Sequence, residues 1–367
     1  MNPQIDIIRD IDSFLSVKTE WDSMVAGIFG NHPFFRHFWY DNYYRVYFDS
    51  SSLMILTARR EGVLVAAVPM VRHRRWMAGI PITEAQLLGG PHSHLNRLLV
   101  LQEDDQLAAL MIERLLQEGI DLIYFEDLPE SFPDQIWLEI FCRRNELALD
   151  IRKVRQSPYI PTVGDYEEYR RGLSKKFRQL LNNRLNRINR EGGFNITVVE
   201  TESDFDAIEP DIRSVSADSW QGSEGSGIFS GDTNSTFYLN LIRHSMAEGY
   251  GQISVLYFDH RPAAFEYHIR HAGTEYCLKS EYSRKFDRVS PGAVLDMELV
   301  KRAFDSEVTT YDLLGFSDSY KLRWTDRLAP YYRYFIFNRS LAARAAYALY
   351  FRCGNRLRNL KSRIASS

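Results

Sequence analysis

Cysteine is scarce in this chain. Its 367 residues include Cys142, Cys277 and Cys353, three in all, far apart and with no CxxC pair. That excludes a disulfide scaffold, argues against a cysteine zinc site and fits a reducing compartment. Long apolar runs are missing too; none approaches the ~18 residues that span a bilayer. The opening residues, MNPQIDIIRD, carry neither the basic nor the apolar region of a secretory signal, so a cytoplasmic protein is expected. Neither charge sign dominates: 45 Lys and Arg stand against 48 Asp and Glu, a net charge of −3, which offers DNA no general attraction. There is no GxSxG elbow and no P-loop, so Ser/His/Asp catalysis has no support. His92 and His94 are spaced like ligands on one strand face, but no third ligand follows and no metal is expected.

What is abundant is apolar and aromatic surface. Hydrophobic residues make up 45% and aromatics 13%, enough to fill two ordinary cores. The first half reads as a strand at 4–8, helices at 11–26 and 35–47, and a hairpin of Leu53–Ala58 and Val63–Met70 around Glu61–Gly62. Residues 77–94 read as loop, 105–118 as a helix ended by Gly119, and Asp121–Asp127 as a strand. The second half repeats this order. It has a strand at Phe194–Glu200, helices at 203–219 and 235–248, and a meander through Gln252–Phe258, Pro262–Arg270 and Thr274–Tyr282. A helix from about Gly292 to Phe304, a strand at Thr310–Leu314 and a last strand at Tyr331–Asn338 follow. Short echoes accompany the repeated order: LVAAVPM and RPAAFEY in the hairpins, IYFEDL and TYDLLG in the closing strands. The domains expected are 1–155, 156–340 and a basic tail, 341–367, with the junction where Ser157–Pro158 and Pro161 interrupt regular structure.

The segment after Tyr282 carries the chemistry. The loop SRKFDRVSPG leads into a helix whose start is marked by Ser290 at the N-cap and Pro291 behind it. Free amides at a helix start, beside Arg284, Lys285 and Arg288, suit a pyrophosphate. The alternative is a capped helix beside a solvated basic loop. In the preceding strand Phe265, Tyr267 and Ile269 face one way while Glu266 and His268 face the other. A carboxylate at Glu266, raised in pKa by burial, suits a general base; a salt bridge to Arg270 is the alternative.

The run Arg288-Val-Ser-Pro-Gly-Ala293 resembles a degenerate GNAT acyl-CoA loop, (Q/R)xxGx(G/A), with Pro291 replacing the first glycine. More specifically, LKSEYSRKFDRVSPGAVL (278–295) and YDLLGFSDSYKLRW (311–324) resemble the GNAT-like family associated with bacterial cellulose and exopolysaccharide synthesis, a relative of Fem-type aminoacyl ligases. Leu173–Arg178 and Ser219–Trp220 extend the likeness, which spans about residues 20–340. The resemblance implies an α/β (α+β) protein of tandem GNAT-like domains with mixed central sheets. It implies transfer of an acyl group from acyl-CoA, acetyl-CoA or longer, to a sugar or amino compound in polysaccharide or cell-envelope synthesis. Tyr282, Arg284, Arg288, Ser290, Gly292 and Ala293 would then hold the donor. Glu266 would take the acceptor's proton, Lys321 would polarise the carbonyl, and Tyr320 would return a proton to the leaving group. Trp220 would stack on the acceptor, with Asp312 and Trp324 shaping the pocket. A tRNA-linked aminoacyl donor and a non-catalytic partner of a polysaccharide synthase are the alternatives.

Two basic stretches remain. Residues 169–190 hold eight Lys or Arg and no acid, with Leu173, Phe177, Leu181, Leu185 and Ile188 at helical steps. Such a helix offers a grip on CoA phosphates, a lipid-linked pyrophosphate or tRNA, or is simply solvated. Residues 339–367 hold seven and no acid. They suit either an anionic membrane surface, placing the protein at the inner face of the membrane, or a packed terminal helix.

Overall fold

A computed structural model describes residues 3–48, 52–89, 93–102 and 104–353. The chain forms two compact units: Met1–Arg155 with the chain from Pro330 onward, and Gln156–Ala329.

The first unit runs β1 (Gln4–Ile8), α1 (Ile11–Ser16), α2 (Lys18–Phe29), α3 (His37–Tyr47), β2 (Leu53–Arg60), β3 (Val63–Met77), β4 (Ile80–Leu87), α4 (Asp105–Gln117), β5 (Leu122–Pro129), α5 (Asp134–Arg144) and β6 (Ala148–Pro161). The second runs α6 (Tyr166–Gly172), α7 (Lys175–Glu191), β7 (Phe194–Val199), α8 (Glu202–Asp218), α9 (Trp220–Ser223), α10 (Gly231–Ala247), β8 (Gly251–Phe258), β9 (Arg261–His271), β10 (Thr274–Tyr282), α11 (Pro291–Phe304) and β11 (Thr310–Asp312). The chain then returns to the first unit with β12 (Leu328–Phe337) and α12 (Leu341–Ala346).

In the first unit the strand order is β1-β2-β3-β4-β5-β12, antiparallel except for the parallel pair β4–β5. In the second it is β7-β8-β9-β10-β11 followed by the end of β6, antiparallel except for β10–β11. The order and polarity are the same. Each sheet is closed by a strand that lies outside the repeated order, β12 in one and the end of β6 in the other. Met54, Leu56, Val68, Ile112 and Phe125 fill the first core. Ile160, Phe177, Leu181, Leu256, Val294 and Leu295 fill the second.

Several expectations change. The stretch 77–94, read as loop for its Gly, Pro and His, contains β4, because Ala85 and Leu87 enter the core from one face, Ile82 and Glu84 are buried on the other, and β3 runs on to Met77 to pair with it. The helix expected across 169–190 is broken at Leu173; Ser174 caps α7 by accepting from Phe177 N, and a cap residue ends what precedes it. The strand expected at Tyr331–Asn338 pairs with β5 rather than completing the second half. Within the basic stretch 339–367, α12 buries Ala343 and Ala346 beside Met77 and Phe337, as a packed helix does; residues 354–367 lie outside the described residues, as does His92.

Candidate active site

The second unit holds a cavity of about 430 Å³ at the turn from β10 into α11. β10 ends at Tyr282, the chain crosses a 3-10 turn at Arg284–Val289, and α11 starts at Pro291. Proline costs nothing there, since the first N–H of a helix has no partner to lose. Ser290 stands at the cap position, but its backbone is left-handed (φ 53, ψ 56) and its side chain makes no cap. A side-chain cap needs extended backbone; here Oγ turns back to donate to the Asp287 carbonyl at 3.4 Å. With no acid in the first turn either, the amides of Gly292 and Ala293 stay uncapped at a cavity both residues line. Gly292 lets the helix start approach Tyr282 closely: a Cβ would lie 3.2 Å from the ring, which would have to give by a few tenths of an ångström.

The cations of this cavity differ from those singled out in the sequence. Arg284 and Arg288 are exposed and do not line it. Arg288 pairs with Glu191 at 2.6 Å, and Lys285 with Asp218 at 2.6 Å. Arg184 of α7 and Arg323 line it instead. No carboxylate among the described residues forms an ion pair with either. Burial, then the charge of Arg323, holds Arg184 below its ordinary pKa. Two guanidinium groups without a carboxylate ion-paired to them, at a cavity that Asp287 and Asp296 also line, offer a site for an anion. Arg184 is one of eight basic residues in its stretch, and only the way α7 packs distinguishes it.

The walls are aromatic. Trp324 is buried against Phe177, edge to face at 4.9 Å. Trp220 and Tyr320 line the mouth, 44% and 49% exposed. Trp220 opens the short turn α9, and Glu281 fixes that turn from behind. Its buried carboxylate accepts from Ser216 Oγ and Ser219 Oγ, both at 2.8 Å, and from Ile228 N at 2.6 Å. Burial raises the Tyr320 phenol well above its ordinary pKa, so it stays protonated. Asp312 does not line the cavity; it accepts from Leu314 N at 2.8 Å. Lys321 also lies behind the wall, its Nζ donating to the Leu314 carbonyl at 2.7 Å. Burial lowers its pKa.

Glu266 sits deeper, 1% exposed, and does not touch the cavity. Its Oε2 accepts from Tyr311 OH at 2.9 Å and Cys277 Sγ at 3.3 Å, and lies 3.0 Å from His268 Nε2. Arg270 pairs with Glu275 and Glu200, not with Glu266. The expected rise in pKa does not occur. Burial pushes the Glu266 carboxyl up, but hydrogen bonds from His268, Asp296 and Tyr311 outweigh it and hold the group below its ordinary value. Asp296 stands between Glu266 and the cavity, which it lines from the second turn of α11. Burial and then the Glu266 charge push Asp296 well above its ordinary pKa. Sequence reasoning passed over Asp296. An acidic residue where the pattern of α11 calls for an inward face was the available signal.

Residues 175–322 match the family model described as an acetyltransferase (GNAT) domain. No curated protein matches the chain significantly in sequence. Three solved structures share the fold. The C-terminal domain of a lysylphosphatidylglycerol synthetase from Agrobacterium fabrum is 14% identical, with 92% of this chain and 95% of that one covered and a TM-score of 0.56. FemX is 11% identical, with coverages of 94% and 99% and a TM-score of 0.58. A Bacteroides thetaiotaomicron protein of unknown function is 11% identical, with coverages of 91% and 100% and a TM-score of 0.58. The fold is thus a mixed α/β, GNAT-like one, and the matched segment holds the cavity's lining from Phe177 to Tyr320, with Arg323 and Trp324 just beyond its end. No helix among the described residues is long and apolar enough to cross a membrane.

Proposed function

We propose that the second unit transfers an acyl group from acyl-CoA to an amine or hydroxyl acceptor. The observation that carries this is the uncapped start of α11 facing Arg184 and Arg323 across one cavity. Amides and guanidinium groups bind a pyrophosphate by charge-assisted hydrogen bonds. With the phosphates there, the acyl end lies in the remainder of the cavity, among Asp296, Tyr320 and Trp220. Acyl transfer needs the donor held near the acceptor, a route for the acceptor's proton, and a proton for the leaving group. Tyr320, kept neutral, serves the last. Lys321 adds positive field from behind the wall. Trp220 offers a flat face to a sugar or an amino compound of polysaccharide or cell-envelope synthesis.

Thermal unfolding with acetyl-CoA and longer acyl-CoAs tests this. The midpoint should rise with ligand concentration, as it must when only the folded state binds. Unmoved midpoints with every acyl-CoA would remove the donor site.

A second reading, an aminoacyl-tRNA donor, is favoured by one observation. Lys175, Lys176 and Arg190 of α7 are exposed, and among the described residues no carboxylate forms an ion pair with them. Stabilisation by charged tRNA and not by CoA, falling steeply with salt, would select it.

A further inference from the structure

Behind the cavity lies a cluster that donor binding does not use. β9 brings Glu266 and His268, β10 brings Cys277 and Glu275, β11 brings Tyr311, and α11 brings Asp296. His268 Nε2 lies 2.9 Å from Tyr311 OH, and His268 Nδ1 lies 3.6 Å from Glu275. All the donors that Glu266 meets on the sheet converge on Oε2. Its other oxygen, Oε1, is buried and finds no ordinary donor. On its cavity side the electrostatic neighbour is another carboxyl, Asp296, close enough for each group to act on the other's proton. Two carboxyls so placed can bond to each other only if one carries a proton.

We propose that Asp296 and Glu266 hold one proton between them and act as a single unit, Asp296 meeting the substrate and Glu266 storing charge behind it. This rests on the acyl-transfer reading of the same cavity. As the acceptor's nitrogen or oxygen lone pair attacks the donor carbonyl, its N–H or O–H bond breaks and its proton passes to Asp296. The proton already on Asp296 moves to Oε1 of Glu266. When the carbon–sulfur bond of the donor breaks, the leaving thiolate takes a proton from Asp296, either directly or through Tyr320, which gives up its own proton and is reprotonated by Asp296. Glu266 then returns its proton to Asp296, and the unit is restored. Glu266 is the positioning residue and Asp296 the catalytic one. The sheet supplies the asymmetry: Tyr311, Cys277 and His268 stabilise charge on Glu266, so the proton rests on Asp296. Lys321 from behind the wall and Arg184 from the cavity pull the other way, too weakly to reverse it. Tyr320 and Asp318 complete the charged and titratable surroundings.

Infrared difference spectroscopy with isotope-labelled aspartate tests this without any substrate. At neutral pH the wild type should show a protonated carboxyl band that disappears in Asp296→Asn. No such band in the wild type overturns the proposal. Thermal midpoints give a second reading. Asp296 has its pKa raised in the folded state. Its contribution therefore favours folding below the ordinary aspartate range and is progressively lost as pH rises toward its folded value. The midpoint of Asp296→Asn should gain on the wild type with rising pH, and in a Glu266→Gln background that gain should shrink to the part due to burial alone. A gain undiminished by Glu266→Gln overturns the coupling. With acetyl-CoA and glucosamine as the amine probe, Asp296→Asn should lower kcat about 10²-fold or more and leave the KM for acetyl-CoA nearly unchanged. A kcat within about threefold of wild type overturns the catalytic role. Zinc binding that is tight in the wild type and lost in Cys277→Ser would also overturn it, since the cluster would then hold an ion rather than a proton. If acetyl-CoA fails to shift the wild-type midpoint, the donor reading falls while the carboxyl band still stands or falls by itself.

Discussion

In the first unit the crossover helix α4 starts at Asp104, whose carboxylate accepts from Leu107 N and also pairs with Arg60, and Asp105 adds an acid to the first turn. In the second unit the corresponding helix, α11, starts with a serine that does not cap, a proline and no acid. The hairpins differ as pointedly. The echo VAAVPM against PAAFEY sets Pro69, buried in β3, opposite the position of Glu266 in β9. Strand order and polarity are shared, so the fold alone supplies no site. A helix start left open and a carboxylate placed where its sheet neighbours can receive it make the difference.

The sharpest way to break this comparison is to exchange the second feature. Pro69→Glu should destabilise the protein by about 3 kcal/mol or more, because a carboxylate there meets no equivalent of Tyr311, Cys277 and His268. Denaturant unfolding measures it. A cost below about 1 kcal/mol would mean that Glu266 is tolerated for some reason other than its donors. Next in size, Arg184→Ala and Arg323→Ala should each weaken acetyl-CoA binding about tenfold or more, the value of one charge-assisted contact. Calorimetric titration reads this directly. Arg284→Ala, at an exposed position away from the cavity, should leave it unchanged.

Much of this was legible in the sequence, and the parts that were not have a common cause. Alternation in β9 placed Glu266 and His268 on one side, and the turn chemistry at Ser290–Pro291 located the helix start. Those are local signals. The choice of Arg184 over Arg288 depends on how α7 packs against α11, and periodicity says only that α7 has a basic face. Asp296 was missed because one acid in a helix reads as solvated until the strand beneath it is known. β4 was missed because its partner strand, not its own composition, makes it a strand.

A smaller effect probes the first helix. Asp104→Ala should cost about 1 kcal/mol, the usual value of a lost N-cap. It should not create acetyl-CoA binding in the first unit, because an open helix start without paired arginines is not a phosphate site. New binding there would show that the helix end alone suffices.

The smallest prediction concerns Ser290, which lines the cavity with its hydroxyl bonded backward to the Asp287 carbonyl. Its left-handed backbone is strained for serine and free for glycine. Ser290→Gly should therefore raise stability by about 0.5 kcal/mol, the relieved strain being partly offset by a more flexible unfolded chain. It should leave acetyl-CoA affinity unchanged, because amides and not the hydroxyl face the phosphates. If stability rises while affinity falls about tenfold, the hydroxyl turns inward when the donor arrives, and the contrast between α4 and α11 becomes one between a cap held by the protein and a cap completed by its ligand.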